Sequence, residues 1–249
     1  MARGSYLAGI MKAGILGSAL FTGLATPGYA DDAAPKLTLS GSAQFVTDYM
    51  FRSISNTSQN PAVQPEFDLT YGMWFATIWG SNTAFGKHIE LDYYAGITPK
   101  WKDITFTIAG NAYTYPSSNP DISYFELHTG ASWSTAPWTI AFNDHWSPDN
   151  SQTFGNSNAI DGTVTYAFKG KLWNFFTPSI NGQVGFQSYE KIAQDYVYWN
   201  AGLTLGFLKN WSADARYYDT NYNKTDCFVQ SGGRNNCDAR AVGTIRVTF

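Results

Sequence analysis

The sequence predicts an all-β fold: a transmembrane, antiparallel, up-and-down β-barrel of about 12 strands. Three observations carry that expectation. Of the 249 residues, 17% are aromatic and only 14% are charged, against about 25% charged in an ordinary soluble domain. Apolar and polar residues alternate in repeated short pieces, and no segment keeps a helical apolar period over several turns. Short turns and longer polar loops also take turns along the chain. The same figures exclude other classes. Disordered chains carry more charge and fewer aromatics. A helical membrane protein needs about 18–20 uncharged apolar residues in a row, whereas the mean hydropathy here is −0.26. A formal charge of −3 without clustered bases makes nucleic acid an unsuitable partner.

Residues 1–30 read as a signal peptide and residues 31–249 as the barrel. Arg3 and Lys12 precede the uncharged apolar run Ala13 to Ala25, and the small residues Gly28 and Ala30 precede Asp31 and Asp32. That apolar run spans about 20 Å at the helical rise, too short for a membrane anchor. No Cys stands at the cleavage point, which argues against a lipoprotein. Export to an oxidising compartment suits Cys227 and Cys237, close together in an Asn/Gly-rich stretch. They are expected to form a disulfide worth roughly 2–3 kcal/mol by the chain-entropy estimate.

The predicted strands are 36–50, 65–71, 74–81, 88–97, 103–115, 122–133, 138–147, 159–169, 174–186, 196–208, 211–220 and 238–249. Alternation is clearest in four of them. Ile89, Leu91, Tyr93, Ala95 and Ile97 oppose Glu90, Asp92, Tyr94 and Gly96. Phe125, Leu127, Thr129, Ala131 and Trp133 oppose Tyr124, Glu126, His128, Gly130 and Ser132. Ile160, Gly162, Val164, Tyr166 and Phe168 oppose Asp161, Thr163, Thr165, Ala167 and Lys169. Trp199, Ala201, Leu203, Leu205 and Phe207 oppose Asn200, Gly202, Thr204 and Gly206. The stretch 65–81 is least regular, because Met73 to Trp79 is apolar on both faces.

Short connections fall at Gly72, Pro99–Lys102, Ser134–Pro137, Gly170–Trp173 and Lys209–Asn210. Longer ones fall at Ser53–Gln64, Ser147–Asn158, Gln187–Asp195 and Asn221–Cys237. This is the asymmetry of an outer-membrane barrel, and an even strand number puts both ends of the barrel on the short-turn, periplasmic side. The second strand face is too small and hydrophilic to fill a dry core, so apolar faces are expected toward lipid and polar faces inward. Trp133, Trp138, Trp173 and Trp211 near short turns, with Trp79, Trp146 and Trp199 near long loops, suggest two aromatic girdles. Ala241, Gly243, Ile245, Val247 and Phe249 alternate with Val242, Thr244, Arg246 and Thr248. This resembles the last strand of a bacterial outer-membrane protein, whose final Phe, here Phe249, is read by the barrel-assembly machinery.

Several segments resemble the TorF family of proteobacterial outer-membrane porins: Val46-Thr-Asp-Tyr-Met-Phe-Arg-Ser-Ile-Ser55, Pro61-Ala-Val-Gln64, Phe67-Asp68 and Ile78-Trp-Gly-Ser-Asn82. Ile89-Glu-Leu-Asp-Tyr-Tyr-Ala-Gly96 and Cys237-Asp-Ala-Arg240 continue the series in the same order across the mature chain. That family usually has Gly where this chain has Ser53 and Pro65, so two turns are expected to differ. The resemblance implies a barrel and a transport role, and supplies no substrate and no catalytic residue.

With outward faces apolar, the expected pore-lining acids are Glu66 and Asp68, Glu90 and Asp92, Glu126 (with His128 beside it) and Asp161, on the second, fourth, sixth and eighth strands. Asp214 and Arg216 on the eleventh strand, and Arg240 and Arg246 on the twelfth, complete the set, and closure should bring Asp48 near Arg240. Acids then occupy one wall and arginines another. The expectation is that Arg216, Arg240 and Arg246 face Glu90, Asp92 and Glu126 across a constriction and filter small polar solutes. Twelve strands fall between a filled small barrel and an open large one, so a narrow pore is expected, with a plugged barrel as the rival.

An enzyme acting on lipids is the competing class. Asp144-His145-Trp146-Ser147 is the one stretch joining an acid, a His and a hydroxyl, but Asp144 and Ser147 are expected away from the face of His145. His88, His128 and His145 lack ligand spacing, so no metal and no cofactor is expected. The expected partners are outer-membrane lipid and lipopolysaccharide, the assembly machinery and small polar solutes. A homo-oligomer, and a loop-based receptor or adhesin role, are left open.

Overall fold

Strict period-two alternation gives each strand one apolar and one polar face. A sheet built from such strands can hide the polar face only by closing on itself. The computed structural model describes residues 35–249, and there the sheet closes. The expected signal peptide lies outside the described residues. Twelve strands form the wall: β1 Leu37–Val46, β2 Ala62–Tyr71, β3 Trp74–Asn82, β4 Ile89–Ile97, β5 Ile104–Thr114, β6 Tyr124–Thr135, β7 Trp138–Ser147, β8 Ser157–Ala167, β9 Thr177–Tyr189, β10 Tyr196–Phe207, β11 Trp211–Thr220 and β12 Arg240–Thr248. Each pairs antiparallel with its sequence neighbours, and β1 closes the ring on β12 with Phe45 opposite Ile245. Backbone groups facing lipid are thereby paired within the ring, where an unpaired one costs several kcal/mol.

The outer face is apolar where the sequence alternates: Phe142 is 65% exposed and Phe67 58%. A shallow apolar groove of about 970 Å³ crosses this outer face between Phe106, Phe142, Ile160 and Val184. Trp133, Trp138, Trp173 and Trp211 are exposed near the short turns, and Trp146 near the long loops. Trp79 departs from the expected girdle. It points inward, is buried and meets the Tyr49 ring at 5.3 Å. Phe75 is buried beside it, which explains why this strand reads as apolar on both faces. Pro65 also differs from expectation: it sits inside β2, opposite Ala43, rather than in a turn.

The connections 72–73, 98–103, 136–137, 168–176 and 208–210 emerge at one end, and 47–61, 83–88, 115–123, 148–156, 190–195 and 221–239 at the other. Two of the latter carry more than a single 3-10 turn. Within 221–239, helix α1 (Lys224–Ser231) is capped by the Asn223 side chain, which accepts from the Thr225 and Asp226 amides. The Cys227–Cys237 disulfide ties the helix to the approach to β12. Within 47–61, Met50–Phe51 pairs with Ile54–Ser55 as a small hairpin.

Replacing both cysteines by serine is expected to lower the unfolding free energy by about 2–3 kcal/mol and to leave the heat-modifiable barrel band on a gel. Loss of that band would contradict a disulfide that staples only the 221–239 loop.

Candidate functional site

The inward faces carry the chemistry, and the 47–61 hairpin organises it. Its tip, Arg52–Ser53, has φ of 47° and 61°, the left-handed region that a two-residue hairpin turn requires at both positions. Glycine or asparagine would sit there without strain, whereas Arg and Ser are held there by what they touch. Arg52 Nη1 and Nη2 donate to Glu126 Oε1 and Oε2 at 2.9 and 2.8 Å, and Nη1 also donates to Gln187 Oε1 at 2.7 Å. The Ser53 hydroxyl donates to the Trp199 carbonyl at 3.0 Å, and the Tyr196 hydroxyl to the Arg52 carbonyl at 3.3 Å. Those partners stand on β6, β9 and β10, while the loop leaves from β1 and returns to β2. In a ring of twelve this is the opposite wall, so the hairpin crosses the lumen.

Apolar contacts fix the hairpin on both flanks. Met50 packs with Tyr218 and Val242. Ile54 packs with Tyr196, Tyr198 and the Cys227–Cys237 pair, and the Ser55 amide donates to the Asn236 carbonyl at 2.9 Å. The 221–239 loop therefore lies over the hairpin. Asp48 anchors the base, accepting from Ser55 at 2.6 Å, Thr57 at 2.8 Å and Arg240 at 2.7 Å.

The residues singled out from sequence are on the inward side, but their charges pair differently from the expectation. Arg240 meets Asp48, as closure required. Arg246 meets Glu66 at 2.9 Å and Arg216 meets Asp214 at 3.2 Å. Arg216 also donates to Asn181 and Asn200, both at 2.7 Å, along a groove that Gly202 leaves open. Each arginine of β11 and β12 is thus neutralised on its own side of the barrel, and Glu126 is met by Arg52 instead. The physical reason is reach. Neighbouring strands stand ≈ 4.7–4.9 Å apart, so local pairing spares a buried charge the desolvation of waiting for a partner across the lumen.

The remaining acids are held by hydroxyls and amides. Tyr49 donates to Glu90 at 3.1 Å, Tyr94 to Asp92 at 2.6 Å and Tyr113 to Glu126 at 3.0 Å. Asp68 accepts from Thr77 at 2.5 Å, and Asp161 from Asn143 at 3.0 Å. Glu90, Asp92 and Glu126 are almost wholly buried. His128 and His145 are register partners whose rings stack at 4.2 Å, while His88 sits in the 83–88 connection. Among the described residues no three His, Cys, Asp or Glu side chains converge as a metal centre. Asp144 faces outward and binds Asn158 at 2.6 Å. Ser147 is two residues beyond His145, shares its inward face and is fully buried, contrary to expectation. The three do not converge, because Asp144 is on the other side of the sheet.

Arg52, Gln187, His145 and the inward tyrosines were absent from the sequence-based set. One signal points to the hairpin: Tyr49, Met50, Phe51 and Ile54 are apolar or aromatic residues in a connection made mostly of polar ones.

Comparison with known proteins places this geometry. A family model described as "Bacterial protein of unknown function (Gcw_chp)" matches residues 30–249. The chain belongs to this family. No curated protein matches the chain. Among solved structures it is similar to the KdgM porin, at 8% identity and a TM-score of 0.57, covering 84% of this chain and 99% of that one. It is also similar to the NanC porin, at 13% identity and a TM-score of 0.52, covering 85% and 98%. The Gcw_chp chain thus has the fold of outer-membrane porins.

The Arg52–Glu126 contact is open to a double-mutant test. Arg52→Ala alone strands a buried carboxylate and is expected to destabilise the refolded barrel by about 3–5 kcal/mol in urea. Adding Glu126→Gln should recover part of that loss. Additive effects of the two substitutions would contradict the contact.

Proposed function

We propose that this chain is an outer-membrane channel through which small polar solutes diffuse passively, shut in the state described by its own 47–61 hairpin. The observation that carries the reading is where the lumen is blocked. On the long-loop side the obstruction is a loop, not a wall strand, crossing from β1 to β10. Toward the short turns the inward side chains of β6 to β10 are small: Ser132, Ala141, Thr165, Ser179 and Thr204. A barrel whose only task was structural has no need to keep that half narrow-walled and polar. The porin fold and the resemblance to the TorF family support the same reading.

Charge sets the selectivity. The inward acids Asp48, Glu66, Asp68, Glu90, Asp92, Glu126, Asp161 and Asp214 outnumber Arg52, Arg216, Arg240 and Arg246 two to one. When the hairpin withdraws, Arg52 leaves with it, and the wall it faced presents Glu90, Asp92, Glu126 and Asp161. This wall favours cations. One similar structure is the "KdgM porin in complex with disordered oligogalacturonate". An acidic sugar chain of that kind would be repelled here, so the cargo is of another class.

Refolded mature protein in a planar bilayer with a salt gradient is expected to give discrete steps whose reversal potential favours cations. Anion preference would contradict the charge argument, and a folded barrel without steps would favour a permanently plugged structural protein.

A further inference from the structure

We infer that the pocket around Glu126 is a binding site for guanidinium-bearing cations, occupied in this state by Arg52 as a tethered stand-in. The inference deepens the proposed channel function by naming its solute class, and for transport it rests on that reading. The binding itself does not.

The site is built for a planar fork. Both oxygens of Glu126 accept from the two terminal nitrogens of Arg52, and the Gln187 oxygen takes a further N–H from one of them. The Glu126 and Gln187 side chains have no solvent exposure, and the Tyr113 hydroxyl fixes one oxygen of the acid at 3.0 Å. The Phe51 ring covers the guanidinium carbon at 4.7 Å. Paired in-plane acceptors with an aromatic cover suit a guanidinium and not a compact ammonium.

Two observations make this more than an internal ion pair. First, the wall offers more acceptors than Arg52 uses. Asn111 is the register partner of Glu126, and its Oδ1 is buried without a donor, as is Asp92 Oδ1. Buried acceptors normally find donors, and two in one region, beside the Arg52 fork, call for a ligand richer in N–H groups. Second, the stand-in is delivered on a turn that Arg and Ser occupy under strain, at φ of 47° and 61°. A free guanidinium can make the same contacts to Glu126 and Gln187 without holding that turn. A solute arriving from the long-loop side would therefore replace Arg52 on Glu126, release the hairpin and pass along the remaining carboxylates.

The test is chemical rescue of the refolded Arg52→Ala chain. Methylguanidinium is expected to raise its unfolding temperature by several degrees, methylammonium to leave it unchanged, and Arg52→Ala/Glu126→Gln to lose the response. Equal effects of the two cations, or rescue that survives Glu126→Gln, would overturn the site. If the truncated chain does not refold, the same comparison on Arg52→Lys decides, since lysine keeps the charge and lacks the fork. Single-channel recording separates the two claims. Rescue in a chain that never conducts would overturn the channel alone, and conduction without rescue would overturn the site alone. In a conducting wild type, methylguanidinium should raise the frequency of opening.

Discussion

A strand that crosses lipid can leave no backbone amide or carbonyl unpaired, and the rest of this structure depends on that constraint. Only a closed ring satisfies it with strands, and closure divides the side chains by parity into a lipid face and an enclosed face. The enclosed face cannot be dry and apolar as well, because then neither face would distinguish the register of one strand on the next. Polar residues inside therefore specify the barrel. They bring a second requirement, that each buried charge and amide find a partner within reach of its own strand.

That second requirement shapes the lumen. Arg216 is satisfied by Asp214 on its own strand and by Asn200 and Asn181 on the next two, and Arg240 and Arg246 by acids that ring closure brings alongside. Tyrosine hydroxyls serve Glu90 and Asp92. Glu126 is the exception on the wall, since its cationic partner comes from a loop on the far side. This one contact turns a ring of locally satisfied strands into a barrel with a crossing element. It also links the plug to the long loops, because the disulfide of the 221–239 segment packs against Ile54 of the same hairpin.

Most of the wall was legible in the sequence because it follows from period two alone. The strand from 138 to 147 and the strand from 211 to 220 match to the residue, and the pairing of Asp48 with Arg240 followed from closure. What stayed hidden depends on long-range packing. Arg52 meets Glu126 and Gln187 across separations of 74 and 135 residues, and no periodicity marks a loop residue that reaches so far. The first predicted strand ran on to residue 50 because the apolar residues of the hairpin continue the pattern of β1. Trp79 read as an interfacial residue since nothing local shows that Tyr49 will fold back onto it. Parity alone predicts opposing walls of charge, but reach decides the pairing, and Arg216 and Arg246 meet acids on their own side of the ring.

The measurement that bears most directly on this account is single-channel conductance of the wild-type barrel beside one in which residues 50–55 are replaced by a short glycine linker. A hairpin that closes the lumen predicts larger and longer-lived openings in the shortened chain, at unchanged heat-modifiable mobility. Equal conductance in the two folded barrels would contradict a lumen closed by this loop.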